Sequence, residues 1–501
     1  MSQRLQHSLQ RRRVLTLFVS LLVSLASGTN YVFSAYAPQL AARLHISHTR
    51  LNVIGLAGNV GVYLSSPFWG MIVDKTGPKP NMFAGFCLLL MGYLGIRVIY
   101  DTGLTQDSNK ESESVSTATF LLLVLFSIMT GVGGNGGYSA SLNVVAKSFP
   151  DSLRGSTVGI VVSGFGLSAF IFSFIAHHAF PGETSFLLLT LALGTALPML
   201  IGFLFVRPIP LEEPPEVFPS EPDSQTPLLA ESGLRRVSAF HRPLLKHLHG
   251  RKLLTSLDFW ILFSVFSLVS GTGLMYINNV GSMAQILYLH ENYPEYNEIE
   301  VSRWQATQVS TISLVGFVGR IFIGILSDFS KAHFALPRSY LFILVTATAL
   351  ASQIVASQVD VVSHLWRSSG LLGFGYGMLF SLSTSIVSEW FGLAHFSETV
   401  GFLTISPLIG GNIFSLAFGK NLDAHSPVTP QMLFLVEKEK SRRQCREGRV
   451  CYVDALYLTI VGCALSVLLS IWAGWRDHKR IERAFAEDEE REVERPSRVD
   501  C

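Results

Sequence analysis

The stretch that decides the fold is the charged turn Gly70-Met-Ile-Val-Asp74-Lys75-Thr-Gly77-Pro-Lys79. It joins two apolar runs, 51–73 and 81–100, which together contain a single charged residue, Arg97. Each run is long enough to cross a lipid bilayer as a helix, since a crossing takes about 20 residues. A less complete copy of the turn, Gly324-Ile-Leu-Ser-Asp328, follows another apolar run 254 positions later. A charged turn that occurs twice at the end of an apolar run predicts a membrane protein with two related halves.

The whole chain has the composition of a membrane protein. Of its 501 residues, 49% are apolar and 15% are charged, whereas soluble domains carry about 25% charge. Apolar runs of about 18 residues or more predict twelve spans, at 14–36, 51–73, 81–100, 119–146, 155–179, 184–206, 259–281, 304–327, 339–357, 368–388, 399–419 and 453–475. We therefore predict an all-α membrane protein with 12 transmembrane helices, with the lipid bilayer as its surroundings.

The first span also has features of a secretory signal, because Arg11, Arg12 and Arg13 precede an apolar run that reaches small residues at Ser27 and Gly28. Two observations favour a retained span. The apolar run continues beyond the small residues, and Ser24-Leu-Ala-Ser-Gly-Thr29 reappears as Ser267-Leu-Val-Ser-Gly-Thr272 in span 7.

Further matches between the two parts of the chain indicate an internal duplication. An offset of 242 positions recurs for Gly131 and Gly373, Phe149 and Phe391, Gly159 and Gly401, and Ile171-Phe-Ser173 and Ile413-Phe-Ser415. Two homologous six-helix halves joined by a linker are a transporter architecture. The predicted division is an N-terminal tail 1–13, an N-terminal half 14–206, a linker 207–258, a C-terminal half 259–475 and a C-terminal tail 476–501.

Basic residues predict the orientation. With the N-terminus inside, the inner segments hold 24 Lys and Arg residues and the outer loops hold 12, and such an excess is typical of the cytosolic side. Both termini and the linker are therefore expected in the cytosol. The net charge of +2 gives no reason to expect a nucleic acid partner.

The sequence contains no enzyme motif in the structural context that the motif requires. Gly131-Val-Gly133-Gly-Asn-Gly136 fits the G-x-G-x-x-G pattern, but a dinucleotide loop needs a strand before it and a helix after it. Inside an apolar span, closely spaced glycines instead allow helix backbones to approach each other. No run suggests a metal cluster, a nucleophile elbow or a phosphate loop, so we expect neither an enzyme nor a cofactor.

The turn from Gly70 to Lys79, placed after the second of twelve spans, resembles the loop signature of the major facilitator superfamily. Gly28-Thr-Asn-Tyr-Val-Phe33, Tyr36-Ala-Pro-Gln-Leu40 and Leu56-Ala-Gly-Asn-Val-Gly61 resemble its monocarboxylate-porter and nodulin-like branches. Phe149-Pro-Asp-Ser-Leu-Arg-Gly155 extends the resemblance. Overall, the chain is most similar to the fungal monocarboxylate-transporter homologues of the vacuolar membrane.

This resemblance implies the major facilitator fold and a secondary active transporter that moves a small organic solute by alternating access. The resemblance implies that the solute is a monocarboxylate or another organic anion and that a coupling proton is a further partner. It also implies the vacuolar membrane as the location. Span 8 departs from the family pattern, because Arg320 matches the family's arginine but Gly316 stands where its aspartate would be. Span 1 also lacks the lysine of proton-linked lactate carriers, so both the substrate and proton coupling stay open.

Polar residues in the cavity-lining spans of this superfamily are the candidate substrate-binding residues. They are Arg320, Asn30, Tyr31, Asn135, Tyr138, Tyr276, Asn279 and Tyr376. Polar side chains at membrane depth need partners, and a wet cavity or a neighbouring helix supplies them equally well. For Arg320, whose backbone lies roughly 10 Å from the nearer interface, three fates remain: snorkelling to the interface, bonding helix-end carbonyls, or binding an anion in the cavity.

The candidate gate residues lie in the cytosolic turns and are Asp74, Lys75, Lys79, Arg154 and Asp328. The resemblance implies that Asp74 docks near the positive N-terminal end of a helix from the other half; the alternative is a solvated turn acid. Glu389 and Glu398 flank the turn before span 11 and are interpreted as gate or surface carboxylates.

Cys445 and Cys451 share an outer loop and are candidates for a disulfide, which an oxidising lumen would allow. Two other function classes also stay open at this stage, a sensor that kept a transporter fold and an ATP-independent channel. Repeated halves and paired gate motifs favour a carrier over a channel, whereas nothing in the sequence separates a carrier from a sensor.

Overall fold

The computed structural model describes residues 3–46, 48–103, 116–179, 183–211, 248–292, 297–334, 336–425, 445 and 447–493. Within these ranges the chain is helical and contains no strand, and twelve helical segments match the twelve predicted spans. In chain order they are Gln3–Ser27 with Phe33–Leu44 (span 1), His48–Thr76 (2), Pro78–Thr102 (3), Thr117–Ser148 (4), Asp151–Ala179 (5), Thr184–Phe205 (6), Leu257–Asn292 (7), Glu298–Phe334 (8), Leu341–Ser357 (9), Leu365–Trp390 (10), Phe396–Leu403 with Ser406–Ala424 (11) and Val453–Val493 (12).

The predicted all-α membrane fold is confirmed. Eleven helices of the described chain are long and apolar enough to cross a membrane. Span 2 is not among them, and its apolar run is interrupted by Asn52, Asn59, Ser65 and Ser66. The spacing of these polar residues along span 2 indicates that one face of this helix borders a central cavity.

Several helix ends differ from the predicted span boundaries, and three of the differences concern a break within a span or a predicted tail. Span 1 breaks after Gly28 and continues through a short 3₁₀ turn, Thr29–Val32, because glycine favours the helix weakly. Span 11 breaks before Pro407, which has no N–H to donate to the preceding turn. Span 12 extends 18 residues beyond its predicted end at 475, to Val493, so its helix continues into the part predicted as the C-terminal tail.

Spans 1–6 (the N-half) and spans 7–12 (the C-half) pack together through spans 2 and 11 and through spans 5 and 8. We call the end of the bundle where span 6 ends and span 7 begins the linker side, and the opposite end the far side. Near the linker side the backbones are in contact. A Cβ on Gly70 would lie 2.1 Å from Ser397 O, and one on Gly155 would lie 2.9 Å from Gly324 O. Glycine is therefore required where the halves meet.

An apolar cluster crosses the same junction. Val145 and Val161 of the N-half belong to one buried cluster with Phe266, Ile386 and Leu403 of the C-half. Burial of these side chains excludes water from the linker side of the interface between the halves. The two halves are thus closed against each other at this end.

The far side of the C-half carries the disulfide pair. The structure joins Cys445 to Cys451, with a Cα–Cα distance of 6.0 Å. Both cysteines are buried in one apolar cluster with Val280, Phe418 and Tyr452. Cys445 and the 3₁₀ turn Gly448–Cys451 are therefore packed onto the C-half, at the end opposite the linker.

Candidate functional site

A cavity of about 770 Å³ lies between the two halves. Spans 1, 2, 4 and 5 of the N-half and spans 7, 8, 10 and 11 of the C-half contribute to its lining. Its volume falls within the range of about 300–1,000 Å³ that is typical of small-molecule sites. A binding site shared by both halves is suited to a solute that is released when the halves move relative to each other.

Six of the eight sequence-predicted binding residues line this cavity. They are Asn30, Tyr31, Asn135, Tyr138, Arg320 and Tyr376. The structure therefore brings polar side chains from spans 1, 4, 8 and 10 to one place, although they are far apart in the chain.

The other two, Tyr276 and Asn279, lie outside the cavity lining, and this corrects the sequence interpretation. The Tyr276 side chain is fully buried, and its hydroxyl shares hydrogen bonds of 2.6 and 3.0 Å with the hydroxyls of Ser368 and Ser369. Asn279 Nδ2 donates to its own helix, at Met275 O over 2.7 Å. Asn278 lines the cavity instead, because residues two positions apart point about 200° apart around a helix.

The N-half wall of the cavity offers neutral hydrogen-bonding groups. Asn30 Nδ2 donates to Asn59 Oδ1 over 2.6 Å, and the hydroxyls of Tyr31 and Tyr63 are 3.2 Å apart. Deeper in the wall, Asn135 Nδ2 bonds groups of span 2, among them Val62 O at 3.0 Å. Amides and hydroxyls both donate and accept, so this wall can bind polar groups of a solute without adding net charge.

Asn59 and Tyr63 of span 2 were not predicted as binding residues. The signal that could have identified them is the set of polar residues interrupting span 2, the feature that also sets this helix apart from the others by composition. Lipid-facing and core-facing surfaces of a span are both apolar, so a polar residue one or two turns from another polar residue is evidence of a cavity face.

The C-half wall carries a cation. Arg320 is 8% exposed and is the one charged residue among the described residues that line the cavity. Its Nε has no hydrogen-bond partner in the described chain, and its electrostatic neighbours are the hydroxyls of Tyr31, Tyr138 and Tyr376. Burial excludes the snorkelling alternative, because a snorkelling side chain places its charged end in water at the interface.

At the linker side, Asp74 connects the two halves. Its Oδ2 accepts from the backbone N–H of Glu398 over 2.9 Å, at the first turn of the helix Phe396–Leu403. Its Oδ1 accepts from Asn143 Nδ2 at 2.6 Å and from Lys147 Nζ at 2.9 Å. A carboxylate at a helix N-terminus is favoured by the helix dipole and by the unsatisfied N–H groups there.

Glu398 also connects this contact to the end of the linker. Its Oε1 accepts from the backbone N–H of Gly250 over 3.1 Å, and its Oε2 lies 3.5 Å from His395 Nδ1. The His395 ring stacks on that of His249 with 4.1 Å between the centroids. The segment that leads from the linker into span 7 is therefore in contact with the Asp74 gate.

Asp328 makes the corresponding contact with the N-half. It accepts from the backbone N–H groups of Gly155 and Ser156 over 3.0 and 2.7 Å, in the first turns of span 5. Arg338 Nη2 donates to it over 2.7 Å. The Arg338 side chain is fully buried and also lies 3.5 Å from Asp151 Oδ1.

Further charges complete a network around Asp328. Lys331 forms ion pairs with Asp151, at 2.6 Å, and with Glu389. Arg154 forms an ion pair with Asp151 over 2.9 Å. Three acids, Asp151, Asp328 and Glu389, are thus balanced by three bases, Arg154, Lys331 and Arg338.

The candidate gate residues therefore divide into two groups. Asp74 and Asp328 accept hydrogen bonds from the opposite half, whereas Arg154 bonds Asp151 and backbone carbonyls of its own half. Lys75 and Lys79 are exposed, and Lys79 Nζ lies 6.0 Å from the centre of the Phe203 ring within the N-half, so neither contributes to closure. Lys147, Lys331 and Arg338, which were not predicted, provide the cations instead, and their basic character in otherwise apolar helix ends was the available signal.

Comparisons with known proteins agree with this architecture. The family model of the Major Facilitator Superfamily matches residues 17–415. An uncharacterized membrane protein of Saccharomyces cerevisiae is 23% identical, over 89% of this chain and 91% of its own. Probable transporters MCH1 of Gibberella zeae and Neurospora crassa are 24% and 22% identical, over 93% of this chain and 90% and 89% of theirs.

Among solved structures, a bacterial homologue of the iron transporter ferroportin in an outward-facing state has a similar fold. One such structure, with soaked iron, matches with a TM-score of 0.59 and 13% identity, and covers 92% of this chain and 98% of its own. A second matches with a TM-score of 0.58 and 14% identity, over 92% and 99% of the two chains.

Proposed function

The chain belongs to the major facilitator superfamily of transporters, and from that premise we propose that it carries a small organic anion through its central cavity by alternating access. The resemblance predicted from the turn at Gly70–Lys79 is thereby confirmed, as is its extension to the fungal probable transporters. The sequence identity of about a quarter leaves the substrate to be argued from the cavity itself.

The observation that carries the proposal is the isolation of Arg320. An arginine at membrane depth is costly unless it is paired or wet, and such charges usually mark a transport pathway. In the described chain no carboxylate pairs with it, whereas its guanidinium borders a cavity of suitable size. A planar guanidinium binds a carboxylate through two parallel hydrogen bonds. A monocarboxylate, or another organic anion with one charged end, fits a site with one cation.

Alternating access is supported by where the halves touch. Asp74, Asp328 and the apolar cluster close the linker side, while the cavity lining begins beyond them and reaches far-side residues such as Asn30 and Leu416. Opening to the linker side would require these contacts to break and others to form at the far side. A channel has no need of this closure. A sensor with the same fold, and a carrier of a solute without a carboxylate, are the alternatives that the experiment below separates.

We propose that the linker side is the cytosolic side, since 24 basic residues are expected there against 12 on the far side. The location that the family resemblance suggests is the vacuolar membrane. Protease accessibility of tags at either terminus on intact vacuoles tests both statements, and a lumenal C-terminus would contradict the orientation.

The proposed function is tested with purified protein in proteoliposomes. Counterflow of labelled organic acids, from a panel of monocarboxylates, measures exchange across the membrane, which a sensor does not perform. A pH gradient imposed in the same assay reports whether a proton is coupled.

Arg320→Lys should lower carboxylate transport by about tenfold or more, because a lysine does not reproduce the bidentate geometry. Arg303→Lys is the matched control, since the Arg303 side chain is 79% exposed, and it should transport like the parent. Equal transport by Arg320→Lys and the parent would contradict the anion-binding role of Arg320.

A further inference from the structure

The guanidinium of Arg320 lies against the opposite half of the protein. A Cβ on Gly166 of span 5 would lie 2.3 Å from Arg320 Nη1, 2.4 Å from Cζ and 2.7 Å from Nη2. The planar head of the arginine therefore occupies the space that any other side chain at position 166 would fill. Arg320 belongs to the C-half and Gly166 to the N-half, so this contact crosses the interface between them.

We propose that Gly166 is a positioning residue, which seats the Arg320 guanidinium and sets how far it projects into the cavity. This inference rests on the proposed function in one respect, namely that an organic anion binds Arg320. It extends that function by assigning a residue of the N-half that determines which anions the site accepts.

Packing is what fixes the orientation of this side chain. Among the described residues Arg320 forms no ion pair, and its Nε–H donates no hydrogen bond. Its own helix adds a second contact surface, because a Cβ on Gly316 would lie 3.3 Å from Nη1. The guanidinium thus lies beside two glycines, Gly166 across the interface and Gly316 one turn away. A binding group needs such support, since a displacement of about 1 Å can reduce function by orders of magnitude.

The consequence of adding one methyl group follows from these distances. The atoms nearest to position 166 are the far end of a flexible side chain, so in Gly166→Ala the guanidinium moves and the backbone of span 5 stays in place. The movement is into the cavity, which reduces the space left for the body of the anion. Larger anions should therefore lose more affinity than small ones.

The matched control lies two residues away on the same helix. A Cβ on Gly164 would lie 2.8 Å from Leu21 Cδ1 and 3.2 Å from both Leu21 O and Ser24 Cβ of span 1, and neither residue lines the cavity. Gly164→Ala therefore repeats the chemical change and its helix context without displacing Arg320.

The first measurement does not depend on transport. A dicarbonyl reagent modifies arginine, and the rate at Arg320 is read by peptide mass spectrometry on the purified full chain. Gly166→Ala should be modified faster at Arg320 than the parent, and Gly164→Ala at the parent's rate. A parental rate in Gly166→Ala overturns the proposed seat whether or not the protein carries an organic anion.

The second measurement is the KM of anion uptake. Gly166→Ala should raise it by about tenfold, the loss of one charge-assisted hydrogen bond, and by more for the larger anions of the panel. In an Arg320→Lys background the same alanine should add no further loss. Additive losses, or faster modification with an unchanged KM, would overturn the positioning role.

Absence of uptake by the parent protein would contradict the proposed function while leaving the modification assay to decide on the seat. If Gly166→Ala is obtained in low yield, the double variant Gly166→Ala/Arg320→Ala tests the cause, because it removes the group that the alanine displaces. The double variant should restore the yield, and failure to do so would place the steric conflict elsewhere and overturn the seat.

Discussion

The two halves of the protein meet twice at the linker side, through one aspartate each, and the two contacts differ in their charges. Asp74 accepts one backbone N–H at the start of span 11 and pairs with Lys147. Asp328 accepts two backbone N–H groups at the start of span 5 and pairs with Arg338, inside a network of six charges. The more complete sequence motif, at Gly70–Lys79, thus belongs to the simpler contact.

This difference shows that the motif specifies which residue accepts hydrogen bonds from the opposite half. It does not specify the charges around that residue. Both aspartates accept hydrogen bonds from backbone N–H groups near the start of a helix in the other half, which is the feature they share. The cations that compensate them come from other elements: Lys147 from the end of span 4, and Arg338 from the turn before span 9. Buried charges need such compensation, and both aspartate side chains are buried, with 2% of Asp74 and 7% of Asp328 exposed.

The largest expected effect is the loss of Arg338, which separates the two contacts most sharply. Arg338→Met leaves three acids against two bases around a fully buried site. Removal of one partner from a buried ion pair costs about 3–5 kcal/mol. We therefore expect a clearly lower midpoint of thermal unfolding, measured by size-exclusion chromatography of heated samples.

The control for Arg338→Met is Arg303→Met. Its side chain is 79% exposed, and exposed substitutions usually change stability by about 0.5 kcal/mol or less. Equal midpoints for the two variants would show that the network around Asp328 contributes nothing that the Asp74 contact lacks.

The next effect concerns opening of the linker side. Asp328→Asn removes the ion pair with Arg338 and turns an amide NH2 toward other donors, the N–H groups of Gly155 and Ser156. The contacts that cross the interface are the hydrogen bonds from the Gly155 and Ser156 N–H groups to the Asp328 carboxylate. Loss of about 2 kcal/mol from these charge-assisted hydrogen bonds shifts the equilibrium toward the linker-open state roughly thirtyfold.

A cysteine reporter at Ser383, which is buried and borders the cavity, measures that shift. The three cysteines outside the Cys445–Cys451 pair, which are Cys87, Cys463 and Cys501, are replaced by serine. An impermeant maleimide added on the linker side should label the reporter faster in Asp328→Asn. Labelling at the parental rate would argue that Asp328 supports the fold without controlling the closed state.

The sequence predicted the fold well because each bilayer crossing leaves a long apolar run, and twelve such runs are present. It predicted the helix ends less well. Span 12 continues to Val493 through charged residues that hydropathy assigns to a tail, since a helix needs no apolar surface once it leaves the membrane. Span 11 breaks between Leu403 and Ser406, just before Pro407, within a run that contains no charged residue.

For the candidate site, the sequence indicated how deep in a span each residue lies. It did not indicate to which face of the helix the side chain points. Arg320 and Tyr376 line the cavity, whereas in span 7 Tyr276 lies outside the lining and Asn278, which was not among the predicted residues, belongs to it. Apolar periodicity gives the inner face of a soluble helix, but a span is apolar on its lipid face as well. Pairs such as Asp328 with Gly155 join residues 173 positions apart, so they follow only from how the halves pack.

The smallest effect is expected at Asp74, and its size decides the comparison. Asp74→Asn keeps one oxygen that can accept from Glu398 N–H, and it loses the hydrogen bond from Asn143 and the ion pair with Lys147, both of which lie inside the N-half. Across the interface only the charge on the acceptor of the single Glu398 hydrogen bond is lost. We expect the free energy that favours the closed linker side to fall by about 1 kcal/mol, which corresponds to roughly fivefold faster labelling of the Ser383 reporter from that side. Lys75→Gln is the control, since that exposed lysine takes no part in closure, and it should label like the parent. The expected order is Asp328→Asn, Asp74→Asn, Lys75→Gln. If Asp74→Asn instead opened the linker side more than Asp328→Asn, the gate would follow the completeness of the motif, and the six-charge network would be a stabilising element of the fold alone.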